Sequence, residues 1–264
     1  MKYPRLGEIV AASLREKIVS GEIADGSRIP NLDCLVDDFE VSSASVREAL
    51  RILENEGLIT VRRGKVGGAT AHAPNEQSAA YMLGLVLQSR GVAVTDVAST
   101  LITLITMCAT MCASREDRAL TVIPNLSKAH EEAKAALNED GSQFERPSRK
   151  FHAELVDCCG SPSMVLVTHT LESLWSEQQE AWSRRILEDE SPDPRLRLEG
   201  LRAHGAVLDA IARGDVAETG RIVRQHLEHP ETYGLGGDAS RVIRATDIPL
   251  RNHSKSERVR WNER

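Results

Sequence analysis

The sequence predicts a mainly helical protein in two parts: three short helices closed by a small β-hairpin, then an all-helical bundle. Three observations carry this. Apolar residues recur at helical spacing through most of the chain. Between residues 57 and 73 a short β-favouring run meets a glycine-rich basic stretch. Aromatic residues are only 3% of 264, so the core must be Leu, Ile, Val and Ala, which suits packed helices.

Taken in order, the first helix presents Leu6, Ile9, Val10, Leu14 and Ile18 on one face and ends at Gly21. The second shows Leu32, Leu35, Val36 and Phe39. Glu40-Val41-Ser42 then reads as a tight turn, with Ser42 or Ser43 capping a third helix that buries Val46, Ala49, Leu50 and Leu53. Ser43, Arg47 and Arg51 point elsewhere, and Gly57 stops the helix. Leu58-Ile59-Thr60-Val61 reads as a strand, followed by the basic turn Arg62-Arg63-Gly64-Lys65-Val66-Gly67-Gly68. Two helices, a turn, a polar-faced third helix and a basic hairpin make a winged helix-turn-helix. A helix fits the major groove of DNA, and Arg or Lys beside glycine approaches phosphates or the minor groove.

Ala73-Pro74-Asn75 reads as a junction, since Pro ends one element and Asn caps the next. The expected division is a reader domain over residues 1–74, a helical ligand-binding and dimerisation domain over 75–230, and a polar, basic, disordered tail over 231–264. From residue 241 onward that tail carries seven Lys and Arg against three Asp and Glu.

The net charge of −6 does not point to nucleic acid, but a local patch suffices, and residues 57–73 hold Arg62, Arg63 and Lys65 with no acid. Five cysteines without a Cys-x-x-Cys pair read as reduced thiols of a cytoplasmic protein, mostly in the core; a redox or metal role for Cys108 and Cys112 is the lesser alternative. The apolar stretch 101–113 is too short to span a bilayer and is expected to be a core helix. The N-terminus shows no export signal.

The run Leu14-Arg15-Glu16-Lys17-Ile18, then Gly26-Ser27-Arg28-Ile29-Pro30, resembles the opening of the GntR family of bacterial regulators. So does Val46-Arg47-Glu48-Ala49-Leu50 followed by Glu56-Gly57-Leu58-Ile59. The resemblance implies DNA contact from Ser42, Ser43, Ala44, Ser45 and Arg47, and from Arg63 and Gly64 in the wing; position and charge add Arg51, Arg62 and Lys65. The family usually carries arginine where this chain has Asp33 and Ser43, so its usual operator is not assumed.

Residues 75–229 resemble the FCD effector domain of the FadR branch through Arg118, Phe151-His152-Ala153-Glu154-Leu155, Cys159-Gly160-Ser161-Pro162, Ala203-His204, Gly214-Asp215 and Arg224-Gln225-His226-Leu227. His152, His204 and His226 each sit on the apolar side of a helical pattern and should point inward, where they need shared partners. The resemblance makes them three of four metal ligands, with Ser148 where the family has Asp. Three His and a water suit Zn²⁺, and Ni²⁺ is also possible; alternatively the imidazoles hydrogen-bond an organic-acid effector or water. Trp175 and Trp182 either line that pocket or belong to the core.

The expected function is a homodimeric regulator that binds double-stranded operator DNA and answers to a small-molecule effector, an organic acid, with no membrane partner. Two alternatives stand beside it. One is a metal hydrolase, for which no general base stands at a recognisable spacing such as His-Glu-x-x-His. The other is an effector- or metal-binding partner protein that has lost DNA binding.

Overall fold

A computed structural model describes residues 4–62, 67–137, 141–186, 194–228 and 241–245. Two compact units divide between Ala79 and Ala80, a few residues beyond the junction expected at 74.

The first unit holds α1 (Leu6–Val19), α2 (Leu32–Phe39), α3 (Ser43–Asn55), β1 (Ile59–Arg62) and β2 (Gly68–Ala71). On α1 the buried stripe is Gly7, Val10, Ala11, Leu14 and Ile18. Leu6 and Ile9 were expected on it and are instead exposed. At roughly 100° per residue, Ile9 falls on the far side of the stripe that Leu14 and Ile18 define.

The Asn31 side chain caps α2 by accepting from Cys34 N–H at 2.9 Å, and Glu40 ends the helix in the left-handed region with φ 52°. Ser42 caps α3, accepting from Ser45 N–H at 3.2 Å. Val46, Ala49 and Leu53 of α3 are fully buried against α1 and β1. The hairpin pairs antiparallel in register Ile59↔Ala71 through Arg62↔Gly68. A third extended segment, unforeseen from the sequence, joins β2: Arg28 bridges Thr70, and Ile29 N–H donates to Ala69 C=O at 2.8 Å.

The second unit is helical: α4 (Glu76–Ser89), α5 (Val94–Ser114), α6 (Arg118–Thr121), α7 (Ile123–Ala135), α8 (Gly141–Asp157), α9 (Pro162–Ile186), α10 (Pro194–Arg213) and α11 (Val216–Leu227). As expected, Asn75 caps α4, its Oδ1 accepting from Ser78 N–H at 3.0 Å. α5 is the centre, packed by α8, α9, α10 and α11. At 21 residues and mean hydropathy 1.7 it is long and apolar enough to cross a bilayer, so the argument from shortness fails. Burial argues for a core helix instead: Val94, Leu101, Ile105, Cys108 and Cys112 have no exposed surface. Around them close Leu126, Phe151, Leu155 and Ile211.

The tail expectation needs correcting at residues 241–245, which pack into this unit with Ile243 and Ala245 fully buried. A β-branched side chain with an apolar seat outweighs the polar average of its surroundings. Cys108, Cys112 and Cys159 are buried as expected, whereas Cys34 is exposed.

His169 on α9 is gripped by two carboxylates, Asp157 at 2.8 Å and Glu172 at 3.3 Å. The Glu172 and Asp157 hydrogen bonds raise its pKa from 6.5 to about 9 against the opposing effect of burial. A raised folded-state pKa stabilises below the unfolded value and loses that contribution as pH climbs from about 6.5 through 9. The His169 ring protons, followed by NMR, should titrate near 9. The melting temperature should fall between pH 7 and 9.5, and His169→Gln should flatten that fall.

Candidate functional site

Two assemblies bring together the residues singled out in the sequence. In the first unit, capping by Ser42 starts α3 at Ser43 and sets which face is free. Val46, Ala49 and Leu53 go inward, leaving Ser43, Ala44, Arg47 and Arg51 exposed and Ser45 half-exposed. Nearby acids are turned elsewhere: Glu48 faces Arg5 at 3.8 Å, Glu54 accepts from Val61 N–H at 3.2 Å, and Glu56 holds Arg15 through two bonds of 2.6 and 2.8 Å. Among the described residues no ion pair holds Arg47, Arg51 or the exposed Arg62. This face is therefore cationic and hydroxyl-rich in a protein that is acidic as a whole. Asp33 is exposed in the first turn of α2. Arg63, Gly64 and Lys65 lie outside the described residues.

In the second unit, α8, α10 and α11 bring His152, His204 and His226 to one point. His152 Nε2 stands 3.1 Å from His226 Nε2 and 3.2 Å from His204 Nε2, and one nitrogen of each ring lies within 4.8 Å of the others. His152 and His204 are buried and His226 is half-buried. Burial first, then the neighbouring imidazoles, holds His204 well below its ordinary pKa; burial, His226 and Arg149 bring His152 to about 3. Both are neutral at pH 7 and present lone pairs. His152 Nε2 faces two other nitrogens, and one N–H on it cannot satisfy both. His204 Nδ1 is buried without a hydrogen-bond partner.

A tetrahedral ion with nitrogen ligands at about 2.0–2.1 Å would set those nitrogens about 3.3 Å apart; the two separations at His152 are close to that, and the third pair lies within 4.8 Å. The donor set therefore fits a borderline divalent metal. The side chain of Ser148, on the same helix as His152, lies outside the described residues, as does that of Trp182.

Packing fixes these rings. Phe151 stacks on His204 with centroids 4.1 Å apart and planes at 11°. Gly200 faces His226 Cε1 and Gly205 faces His130, so small residues on α10 make room for imidazoles. Two arginines, Arg115 at the end of α5 and Arg118 at the start of α6, hold two of the histidine-bearing helices. Arg115 donates to Cys158 C=O at 3.2 Å, at the end of α8, and Arg118 to Ala212 C=O at 3.4 Å, at the end of α10. Each guanidinium lies over a left-handed glycine, Gly160 (φ 82°) and Gly214 (φ 71°), where an added Cβ would meet it at 2.7 and 2.8 Å. Those turns account physically for the Gly160 and Gly214 motifs read in the sequence.

His130 escaped the sequence reading. It lies edge-on to His204 at 6.5 Å and to Phe151 at 6.4 Å, with Nδ1 buried and unpartnered. Its signal was present: it falls four residues after Leu126 and three before Ala133, on the stripe α7 buries. Trp175 belongs to a separate core with Val97, Leu101, Leu174 and Ile243, away from the histidine cluster's own packing. Truncating Phe151, 1% exposed, should cost about 3–5 kcal/mol in urea unfolding and release the His204 ring from its single orientation.

Comparison with known proteins agrees with both assemblies. Residues 6–66 match the family described as "Bacterial regulatory proteins, gntR family", and residues 96–229 match the FCD domain. The chain is 26% identical over 238 residues to the Exu regulon transcriptional regulator of Escherichia coli K12, covering 85% of this chain and 83% of that one. It is 25% identical over 229 residues to the transcriptional repressor NanR of an Enterobacter species, covering 84% and 83%. Bacillus subtilis LutR, a transcriptional regulator, is 23% identical over 216 residues, covering 81% and 94%. A solved Streptococcus agalactiae GntR structure shares the fold with TM-score 0.57 at 20% identity, covering 84% of this chain and 96% of that one. With a polar-faced α3 beside a two-stranded wing, and a helical effector domain built around α5, this chain belongs to the GntR family of transcription regulators, in its FCD-bearing branch.

Proposed function

We propose that the protein is a homodimeric, cytoplasmic regulator that reads a palindromic operator with α3 and the wing. Ser42, Ser43, Ala44, Ser45, Arg47, Arg51 and Arg62 supply contacts, with Arg63, Gly64 and Lys65 from the basic turn. The carrying observation is the free face of α3, where Arg47 and Arg51 have no ion pair among the described residues and Glu48, Glu54 and Glu56 are bonded elsewhere. Two such helices related by a twofold axis would meet successive major grooves about 34 Å apart. Asp33 at the start of α2 repels phosphate where the family's arginine would attract it, so the operator differs from the family's usual one.

In the second unit His152, His204 and His226 would hold a divalent metal, Zn²⁺ or Ni²⁺, with Ser148 too weak a donor to complete the set. The ion would supply a fixed positive charge for a carboxylate oxygen of a small organic-acid effector. The protein's part is to keep His152 and His204 buried and neutral, with the His204 ring oriented by Phe151. This is binding chemistry rather than catalysis: effector affinity that differs between two arrangements of the helical domain shifts the population, and operator affinity follows.

A second reading is favoured by Asp33 and Ser43: a metal- or effector-binding partner protein whose reader no longer grips DNA. Mobility-shift titration of the protein's own promoter fragment separates the two. Binding at 100 mM salt that Arg47→Ala weakens at least tenfold supports the regulator. If no genomic fragment is retained at low salt, with or without organic acids, but Asp33→Arg with Ser43→Arg creates binding, the partner reading replaces it.

For the metal, elemental analysis of freshly purified protein should find about one Zn or Ni per chain, lost in His152→Ala. Ser148→Asp should tighten retention against a chelator by tenfold or more. Protein that emerges metal-free, and stays so after incubation with either ion, would rule out the metal part.

A further inference from the structure

The FCD match ends at residue 229, yet the chain beyond it returns to the helical domain. Residues 241–245 lie extended along the turn that joins α4 to α5. Val94 N–H donates to Arg241 C=O at 2.7 Å, Ile243 N–H donates to Val92 C=O at 3.0 Å, and Ala93 and Val242 form an antiparallel bridge. Ile243 points inward and joins the core of Ala80, Val97, Leu101, Leu174 and Trp175.

The opposite flank is held by side-chain amides. Gln178 of α9, 2% exposed, recognises the main chain of Arg244 from both ends: its Nε2 donates to the C=O at 2.9 Å and its Oε1 accepts from the N–H at 3.1 Å. Gln88, near the end of α4, accepts from Ala245 N–H at 2.8 Å. Strand addition on one side, an amide clamp on the other and one apolar peg are the parts of a peptide-recognition groove. A buried amide is costly when unpaired, so Gln178 makes sense only with an extended chain beside it.

We propose that the groove formed by α4, α5 and α9 is a peptide-receiving site and that residues 241–245 fill it as a detachable latch on α4. Only residues 72–75 separate β2 of the reader from α4. The latch therefore restrains the helix that follows the reader in the chain, and its release alters operator affinity. That regulatory half rests on the DNA-binding reading above, whereas the latch itself does not.

The test uses the full chain carrying Ile243→Asp, with Ile243→Val as the conservative control, followed by hydrogen–deuterium exchange. Amides of residues 80–97 should exchange at least tenfold faster in Ile243→Asp and near the native rate in Ile243→Val, while α7 and α11 stay unchanged. A synthetic peptide of residues 238–247 added in excess should restore slow exchange, and the same peptide with Ile243→Asp should not. Gln178→Ala should reproduce the loosening in milder form. Unchanged exchange over residues 80–97, equal loosening of α7 and α11, or failure of the native peptide to rescue would each overturn the latch. Operator affinity should shift at least threefold in Ile243→Asp at unchanged metal content; an unchanged affinity with a loosened α4 would overturn the regulatory half. Native protein that binds no DNA at all would count against the proposed function, while the exchange result would still decide the latch.

Discussion

The burial of α5 is the constraint on which the helical domain depends. The helix is apolar for most of its length, and its hydroxyls are accommodated locally. Thr106 donates back to Ile102 C=O at 2.7 Å, and Thr100 and Thr103 do the same at 3.0 Å one turn behind themselves. Thr106, the buried one of the three, brings no unpaired group to the interface, while Thr100 and Thr103 are exposed; around the helix pack α8, α9, α10 and α11. Three of these carry the histidines. The cluster is thus a product of packing on α5 before it is a product of its own chemistry, and Arg115 at the end of that helix and Arg118 at the start of α6 hold two of the three carriers by their C-termini.

The same burial decides the protonation of the cluster. Imidazoles taken out of water and placed beside one another resist a proton, since a second charge would meet both desolvation and repulsion. His152 and His204 are thereby left neutral, with the His204 Nδ1 buried and unpartnered. Stacking by Phe151 fixes the His204 ring, and Gly200 of α10 leaves room for His226. The reader shows the complementary logic: Glu48, Glu54 and Glu56 of the recognition region are bonded within the unit, so an acidic protein presents a cationic helix face.

Much of this was legible in the sequence because local signals agreed. Ser42, Asn75 and Gly57 mark ends that their chemistry dictates, and the apolar spacing of α3 fixed which arginines face outward. His152, His204 and His226 were legible from the same periodicity. The third extended segment at Arg28 was not, because it is held by main-chain bonds to β2, forty residues away, and leaves no pattern of its own. Leu6 and Ile9 misled because composition was read without tracking the angle around α1. His130 was passed over as one polar residue on a charged helix, although its place among Leu126, Ala129 and Ala133 marks it as inward. Residues 241–245 were hidden by polar neighbours: one isoleucine with a seat outweighs its context, and the seat is built from helices far earlier in the chain.

α11 packs on α5 and α10, and Gly220 faces Thr110 and Thr106. A Cβ there would lie 3.0 Å from the Thr110 methyl, tighter than van der Waals contact normally permits. Any larger residue would wedge the two helices apart, and His226, nearly two turns further on, would travel with its helix. A position with no side chain thus bears on how closely α11, and His226 with it, can approach α5.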